Sequence, residues 1–158
     1  MKQQSLYEPV KEWLESQGFK ALVVGTQSKI VVPVADLLPS RVYLVPDVVG
    51  VKDNQVAIVE AETSLDKAME VIGKCMVWKA CATFVYAAYP LEKCHRFRVL
   101  EKLGVGLLGV SGKEVKEVVK MMPDESSGLL KVLELHPLDF SREMDLAHLI
   151  KRMLGVEE

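Results

Sequence analysis

The sequence has few cysteines, no long apolar run and no visible export signal. Cys75, Cys81 and Cys94 form no CxxC pair, so neither a disulfide framework nor a cysteine-based zinc site is expected. No run of about 18 apolar residues is present, which argues against a membrane-spanning helix. The polar first residues argue against a secretory signal. We therefore expect a cytoplasmic protein whose cysteines are reduced and buried.

Neither sign of charge dominates the chain, and two common catalytic motifs are missing. The 20 basic and 22 acidic residues give a formal net charge of −2, so nucleic-acid binding would have to rest on a local patch. The segment GLLGVSGKE lacks the glycine spacing of a phosphate-binding loop, and Ser111 lies outside a GxSxG motif. P-loop nucleotide hydrolases and serine hydrolases are therefore not indicated.

Hydrophobic periodicity predicts alternating helices and strands. The 158 residues, 49% hydrophobic and 27% charged, suit one globular domain over residues 1–158. Residues 29–45 are typical of an edge strand, a loop and a second strand. Helices are predicted over 5–17, 64–81 and 91–103, and further strands over 19–24, 83–89 and 105–110. This order predicts an α/β fold with helices on a mixed central sheet and a core at about 5–110.

The chain after the core is predicted to be a helical extension, over about 111–158. A short helix is expected at 115–122, with Lys116 and Lys120 on a solvated side. A terminal helix is predicted at 141–154, where apolar residues recur at helical spacing. One alternative role for the chain follows from that helix, because its apolar side could pack on a second copy and form a homodimer.

The clearest local pattern is a β-hairpin over residues 45–62. Two β-forming runs, VPDVVGV and QVAIVEAE, flank Asp53 and Asn54, which tolerate the positive φ angles of a tight turn. A turn at these two residues places Val51 opposite Val56 and fixes the rest of the register. Both runs are apolar on both faces, so the hairpin is expected at the centre of the sheet.

The same register gathers three carboxylates at one end of the hairpin. Asp47 faces Glu60, with Cβ atoms about 4.5–5.5 Å apart, and Glu62 points to the same face two residues later. Like charges held this close destabilise a sheet, and a divalent cation would compensate them. The alternatives are a different register, or carboxylates exposed to water at the rim of the sheet.

The text VPDVVGVKDNQVAIVEAET resembles the core hairpin of the PD-(D/E)xK nuclease superfamily, also called restriction-endonuclease-like. The family core has the order α-β-β-β-α-β, which matches the elements predicted from Tyr7 to about Tyr89. The resemblance implies a restriction-endonuclease-like fold and a nuclease that hydrolyses phosphodiester bonds with Mg²⁺ or Mn²⁺, with DNA as the expected substrate. It is also compatible with a homodimer, since many enzymes of this fold act as dimers.

The resemblance implies a role for each matching residue. Asp47 resembles the first metal-binding aspartate, Glu60 resembles the second acidic ligand, and the backbone carbonyl of Ala61 would be a further ligand. Glu8, in the first helix, resembles an acidic residue that many members place near the metal. The alternative for Glu8 is a solvated carboxylate favoured by the helix dipole. The family usually has a lysine where this chain has Glu62.

That glutamate is the main departure from the family. Some restriction enzymes of the superfamily use an acidic residue at this position, so Glu62 remains a candidate catalytic residue. Other families carry the lysine on the following helix, where Lys67 and Lys74 are the candidates and Trp78 follows one turn later. The alternative is that both are ordinary surface lysines. The chain would then be an inactive nuclease-fold protein that binds nucleic acid or a protein partner.

A basic segment at 93–102, KCHRFRVLEK, is a candidate nucleic-acid contact. Arg96 and Arg98 could bind phosphates together with Lys67. Phe97, between the two arginines, could stack on a base. The alternative is an amphipathic surface helix in which Phe97 faces the core.

Overall fold

A computed structural model of the chain describes residues 2–24, 32–33, 43–80 and 82–124. Six strands form the main sheet in the order β1-β4-β5-β6-β7-β8, and two short strands, β2 and β3, pair separately. The strands are β1 (Lys20–Val23), β2 (Val32–Pro33), β3 (Tyr43–Leu44), β4 (Val48–Lys52), β5 (Gln55–Ala61), β6 (Phe84–Pro90), β7 (Gly106–Ser111) and β8 (Glu114–Val119). The α-helices are α1 (Tyr7–Ser16), α2 (Ala68–Trp78) and α3 (Val99–Leu103), and 3₁₀ helices span Gln3–Leu6, Leu65–Lys67 and Leu91–Arg96.

The main sheet mixes antiparallel and parallel pairing. Strands β1, β4 and β5 pair antiparallel, β5, β6 and β7 pair parallel, and β8 pairs antiparallel with β7. Parallel neighbours need a crossover connection, which α2 provides between β5 and β6 and α3 between β6 and β7. The predicted α/β architecture, a mixed sheet flanked by helices, is therefore confirmed.

Helices cover both faces of this sheet. Side chains alternate along a strand, and on β6 the ring of Tyr86 makes an edge contact with Trp13 of α1, with centroids 5.4 Å apart. The ring of Tyr89 instead lies 5.1 Å from that of Phe97, two residues before α3 begins. The central strands are thus enclosed, and every residue of β5 from Val56 to Ala61 is buried.

The first helix begins close to its predicted position. A 3₁₀ helix leads into α1, whose third residue is Pro9, where the missing N–H costs no helical hydrogen bond. The helix ends before Gly18, whose φ of +96° few other residues adopt. Among the described residues, no helix has the length and apolar character needed to cross a membrane.

The predicted hairpin register is confirmed. Val51 pairs with Val56, and the ladder continues to Val48 and Val59, one residue short of the carboxylates. Asp53 takes the positive φ of the turn, at +51°. The hairpin occupies the middle of the sheet, between β1 and β6, as its apolar faces predicted.

The short helix predicted at 115–122 is wrong, because that segment contains β8. Gly112, with a φ of +59°, and Lys113 form a two-residue turn that folds the chain back onto β7. The valines at 115, 118 and 119 suit a strand, and β7 would otherwise leave one edge unpaired. The terminal helix predicted at 141–154, and the homodimer contact expected from it, lie outside the described residues.

Candidate metal centre

Asp47 is held in place by three different segments of the chain. It lies immediately before β4 and is 7% exposed. Its Oδ2 accepts a hydrogen bond from the N–H of Ala61 at 2.8 Å, and its Oδ1 accepts one from the hydroxyl of Tyr7 at 3.1 Å. Its carbonyl accepts one from the N–H of Val24 at 2.8 Å. The carboxylate is therefore buried and oriented, unlike a carboxylate at a solvated rim.

Glu60 lies beside Asp47, as the register predicted. It is 3% exposed, and its Oε1 accepts a hydrogen bond from the indole Nε1–H of Trp78 at 2.6 Å. Burial raises the pKa of Glu60 well above its ordinary value, and the charge of Asp47 raises that pKa further. Burial also raises the pKa of Asp47. Ionisation of either carboxyl group is therefore less favourable here than in water.

The two carboxyl groups share a hydrogen bond that one proton must supply. This bond lowers the pKa of Asp47 and raises that of Glu60. Loss of this proton would leave two buried negative charges side by side, at a large electrostatic cost. A divalent cation could take the place of this proton, because two adjacent carboxylates are hard oxygen ligands.

Lys74 is the lysine that acts on this pair. Its charge lowers the pKa of both Asp47 and Glu60. It lies one helical turn before Trp78 on α2, so both side chains are on the side of the helix that faces the carboxyl groups. Its ammonium also lies 3.6 Å from Glu70, and its side chain is 36% exposed.

The carboxylate of Glu62 is hydrogen-bonded to the loop that directly follows it. Its Oε2 accepts hydrogen bonds from the N–H groups of Thr63 at 2.6 Å and Ser64 at 2.8 Å. Its Oε1 lies 4.0 Å from the ammonium of Lys67, whose side chain is 60% exposed. The backbone of Glu62 still pairs with β6, through its N–H and the carbonyl of Ala88 at 3.0 Å, but its carboxylate is bound by the N–H groups of the loop that follows.

The expected trio of carboxylates is consequently a pair. Within the parts of the chain that the structure describes, no three His, Cys, Asp or Glu side chains are arranged to hold a metal ion. The further protein ligand that the resemblance implies is a backbone oxygen, the carbonyl of Ala61. That carbonyl accepts a hydrogen bond from Nε2 of Gln3 at 2.7 Å.

The first helix contributes Tyr7 to the site, while Glu8 is exposed to solvent. Burial raises the pKa of Tyr7, and the neighbouring charge of Asp47 raises it further, so the hydroxyl stays protonated and donates. The sequence did contain a signal for Tyr7, because it shares the apolar side of α1 with Val10 and Leu14. No pattern in the sequence pointed to Gln3.

The basic segment 93–102 divides between two clefts. Arg96 and Lys93 line a cleft of about 480 Å³ that also contains Thr63 and Ser64, directly after the candidate site. Arg98 lines a separate groove of about 570 Å³. The groove is bounded by Leu91, Cys94, His95, Arg98, Glu101, Lys116, Val118, Val119 and Lys120. Phe97 is 3% exposed and belongs to the core, so it cannot stack on a base without leaving it.

Comparison with known proteins defines the class of fold. No protein-family model and no curated protein matches the chain. A solved structure of a protein of unknown function from Silicibacter pomeroyi matches with a TM-score of 0.60 and 17% identity, covering 85% of this chain and 81% of that chain. A second protein of unknown function gives a TM-score of 0.48 at 19% identity, over 89% of this chain and 72% of that chain, which is too low to establish a shared fold. The chain thus shares an α/β fold, a six-stranded mixed sheet flanked by helices, with the Silicibacter protein.

Proposed function

We propose that this chain is a divalent-metal-dependent phosphodiesterase with a restriction-endonuclease-like core, and that DNA is its substrate. The observation that carries the proposal is the buried pair of Asp47 and Glu60 at the end of the central hairpin, with each carboxyl group oriented by hydrogen bonds. Two buried carboxyl groups side by side cost much free energy when both are charged. A bound cation would offset that cost. The resemblance of this hairpin to the PD-(D/E)xK motif supports the same reading.

The donor set fits Mg²⁺ or Mn²⁺. Both ions take oxygen ligands, and Mg²⁺ is commonly bound by one or two carboxylates while it keeps several waters. Asp47 and Glu60 would supply the carboxylates, and Ala61 would supply its backbone carbonyl. When bound, such an ion polarises a phosphodiester and lowers the pKa of water.

The chain's own residues would orient the ligands and balance their charge. Tyr7 and the N–H of Ala61 hold the two oxygens of Asp47, and Trp78 holds Glu60. Such partners fix the orientation of metal ligands and are needed for affinity. Lys74 would supply the positive charge that the family motif places at position 62. Its ion pair with Glu70 is partly exposed and therefore weak, so the ammonium is available to a phosphate.

The first experiment is Mn²⁺ titration by calorimetry, paired with cleavage of plasmid DNA. Asp47→Asn removes the charge but keeps an oxygen that can accept from Ala61, so the fold should persist. We expect wild type to bind Mn²⁺ and cut DNA, and the variant to do neither. Asp66→Asn is the matched control, since Asp66 is an exposed carboxylate. Cleavage retained in Asp47→Asn at the wild-type rate would refute the proposal.

One observation favours a second candidate, an inactive protein of the same fold that binds nucleic acid or a protein partner. Glu62 stands where the motif has lysine, and its carboxylate is engaged by the loop that follows it. An intact fold that neither binds Mn²⁺ nor cleaves DNA, yet still binds DNA or forms a dimer in sedimentation, would establish this alternative.

A further inference from the structure

All the oxygens proposed to face the cation, apart from the second oxygen of Glu60, accept hydrogen bonds from protein donors. The donors are the Tyr7 hydroxyl at 3.1 Å, the Ala61 N–H at 2.8 Å, the Trp78 indole at 2.6 Å and the Gln3 amide at 2.7 Å. The first two hold Asp47, the third holds Glu60, and the last holds the carbonyl of Ala61. The site is therefore closed by hydrogen bonds.

Gln3 differs from the other donors in its surroundings. Trp78 is fully buried and Tyr7 is 6% exposed, whereas Gln3 is only half-buried. It belongs to the four-residue 3₁₀ helix Gln3–Leu6, in which only Leu6 is buried. Helices of this type are short and have poorer hydrogen-bond geometry than α-helices. The Gln3 side chain can therefore rotate away without disturbing the core.

Gln3 also differs in the kind of oxygen it holds. Tyr7 donates to a carboxylate, which has about four lone-pair sites and can accept a hydroxyl and a cation together. Gln3 donates to a neutral carbonyl with two lone pairs. The amide N–H directs its positive end at the oxygen that a cation would approach to about 2.1 Å. The amide leaves one lone pair unused, but its positive end repels a cation at the same oxygen, so the two bind that oxygen less favourably together than either does alone.

We propose that Gln3 is a latch on the metal site, meaning that its amide holds the Ala61 carbonyl while the site is empty and releases it when a cation binds. This inference rests on the proposed function, because it concerns the same site. Cation occupancy and the position of the Gln3 side chain are then linked, and each must shift the other by the same factor. Tyr7, by contrast, is a positioning residue that orients Asp47 for the cation.

The latch predicts opposite effects from two neighbouring residues. Gln3→Ala should tighten Mn²⁺ binding by about 2- to 10-fold, the range expected for one competing hydrogen bond. Tyr7→Phe should weaken it by about 10- to 100-fold, as for other partners of metal ligands. A merely structural role for the segment would move both affinities in the same direction. Gln4→Ala is the matched control, since Gln4 is exposed, and should leave the affinity unchanged.

The experiment is Mn²⁺ calorimetry on the full chain and these variants, with thermal melts to confirm that each is folded. Hydrogen exchange in residues 2–7 gives a second readout, and it should become faster when Mn²⁺ binds. A Gln3→Ala variant that binds Mn²⁺ no tighter than wild type would overturn the latch. The metal site itself would stand in that case, provided that Asp47→Asn abolishes binding. If neither wild type nor Gln3→Ala binds Mn²⁺, the latch and the proposed function both fail. Binding by Gln3→Ala alone, abolished by adding Asp47→Asn, would support a tightly closed latch.

Discussion

Glu60→Gln should make the metal-free protein more stable at neutral pH. Glutamine has the shape of a protonated glutamate, so its oxygen can accept from Trp78 while its amide donates to Asp47. The folded variant therefore keeps both contacts of the wild-type pair. The two proteins differ in the unfolded state, where Glu60 ionises and glutamine cannot. Wild type must recover a proton on folding, and the variant has no such cost.

The magnitude follows from linkage. Because the folded pKa of Glu60 is raised above its ordinary value of 4.5, its contribution to stability is present below that value and is lost as pH rises. Each pH unit above it costs wild type about 1.4 kcal/mol until the folded pKa is reached. The stability difference between the variant and wild type should therefore grow by up to about 1.4 kcal/mol for each pH unit between 4.5 and the folded pKa of Glu60. For a chain of 158 residues, this slope corresponds to roughly 3–6 °C in Tm per pH unit.

The assay is urea or thermal unfolding of both proteins between pH 5 and 8, in a chelator and then with Mn²⁺. Mn²⁺ should stabilise wild type alone, by about 2.7 kcal/mol at a concentration of 100 times its Kd. Glu12→Gln, at an exposed position, is the control and should show no pH-dependent gain. A stability difference between wild type and Glu60→Gln that does not grow with pH would refute the shared proton.

Three further predictions concern Trp78 and Lys74, which act on the pair, and the separate groove that contains Arg98. Trp78→Phe removes the donor to Glu60 and should cost about 1–3 kcal/mol in urea unfolding, because it leaves a buried acceptor unsatisfied. Lys74→Gln should lower the rate of DNA cleavage at least tenfold. Lys67→Gln, which removes the ammonium that pairs with Glu62, should not. Equal losses would contradict the assignment of Lys74 as the lysine of the site. Arg98→Glu should weaken DNA binding and reduce its salt dependence, as measured by fluorescence anisotropy, if the groove carries phosphate.

The sequence predicted the central hairpin and the β1 edge well but the β8 edge poorly, for a physical reason. In the hairpin, two apolar faces and one short turn leave a single register that buries both strands, so Val51 had to meet Val56. In β8, residues 114–119 are mostly exposed, so their hydrophobic pattern does not distinguish a strand from a helix. The lysines at 116 and 120 fit one side of a helix as well as one side of a strand. Pairing with β7 decided between the two.

The candidate site divides in the same way. Asp47 and Glu60 follow from the register, because backbone geometry alone brings them together. Glu62 does not, because its position depends on where β5 ends and on two loop N–H groups. Tyr7 and Gln3 reach the site from a segment that lies 40 residues before Asp47 and 58 residues before Ala61, respectively. Such contacts depend on how α1 packs, and a local pattern cannot specify them.

The burial of the pair bears on the choice between an enzyme and an inactive relative. Carboxylates at a solvated rim would need no explanation, but Asp47 and Glu60 are 7% and 3% exposed. The raised pKa of Glu60 predicts that wild type gives up stability at neutral pH to keep this residue, although glutamine could form the same contacts. A protein that only binds a partner gains nothing from that cost. The lower stability is explained if a cation replaces the proton between Asp47 and Glu60, as the proposed hydrolysis would require.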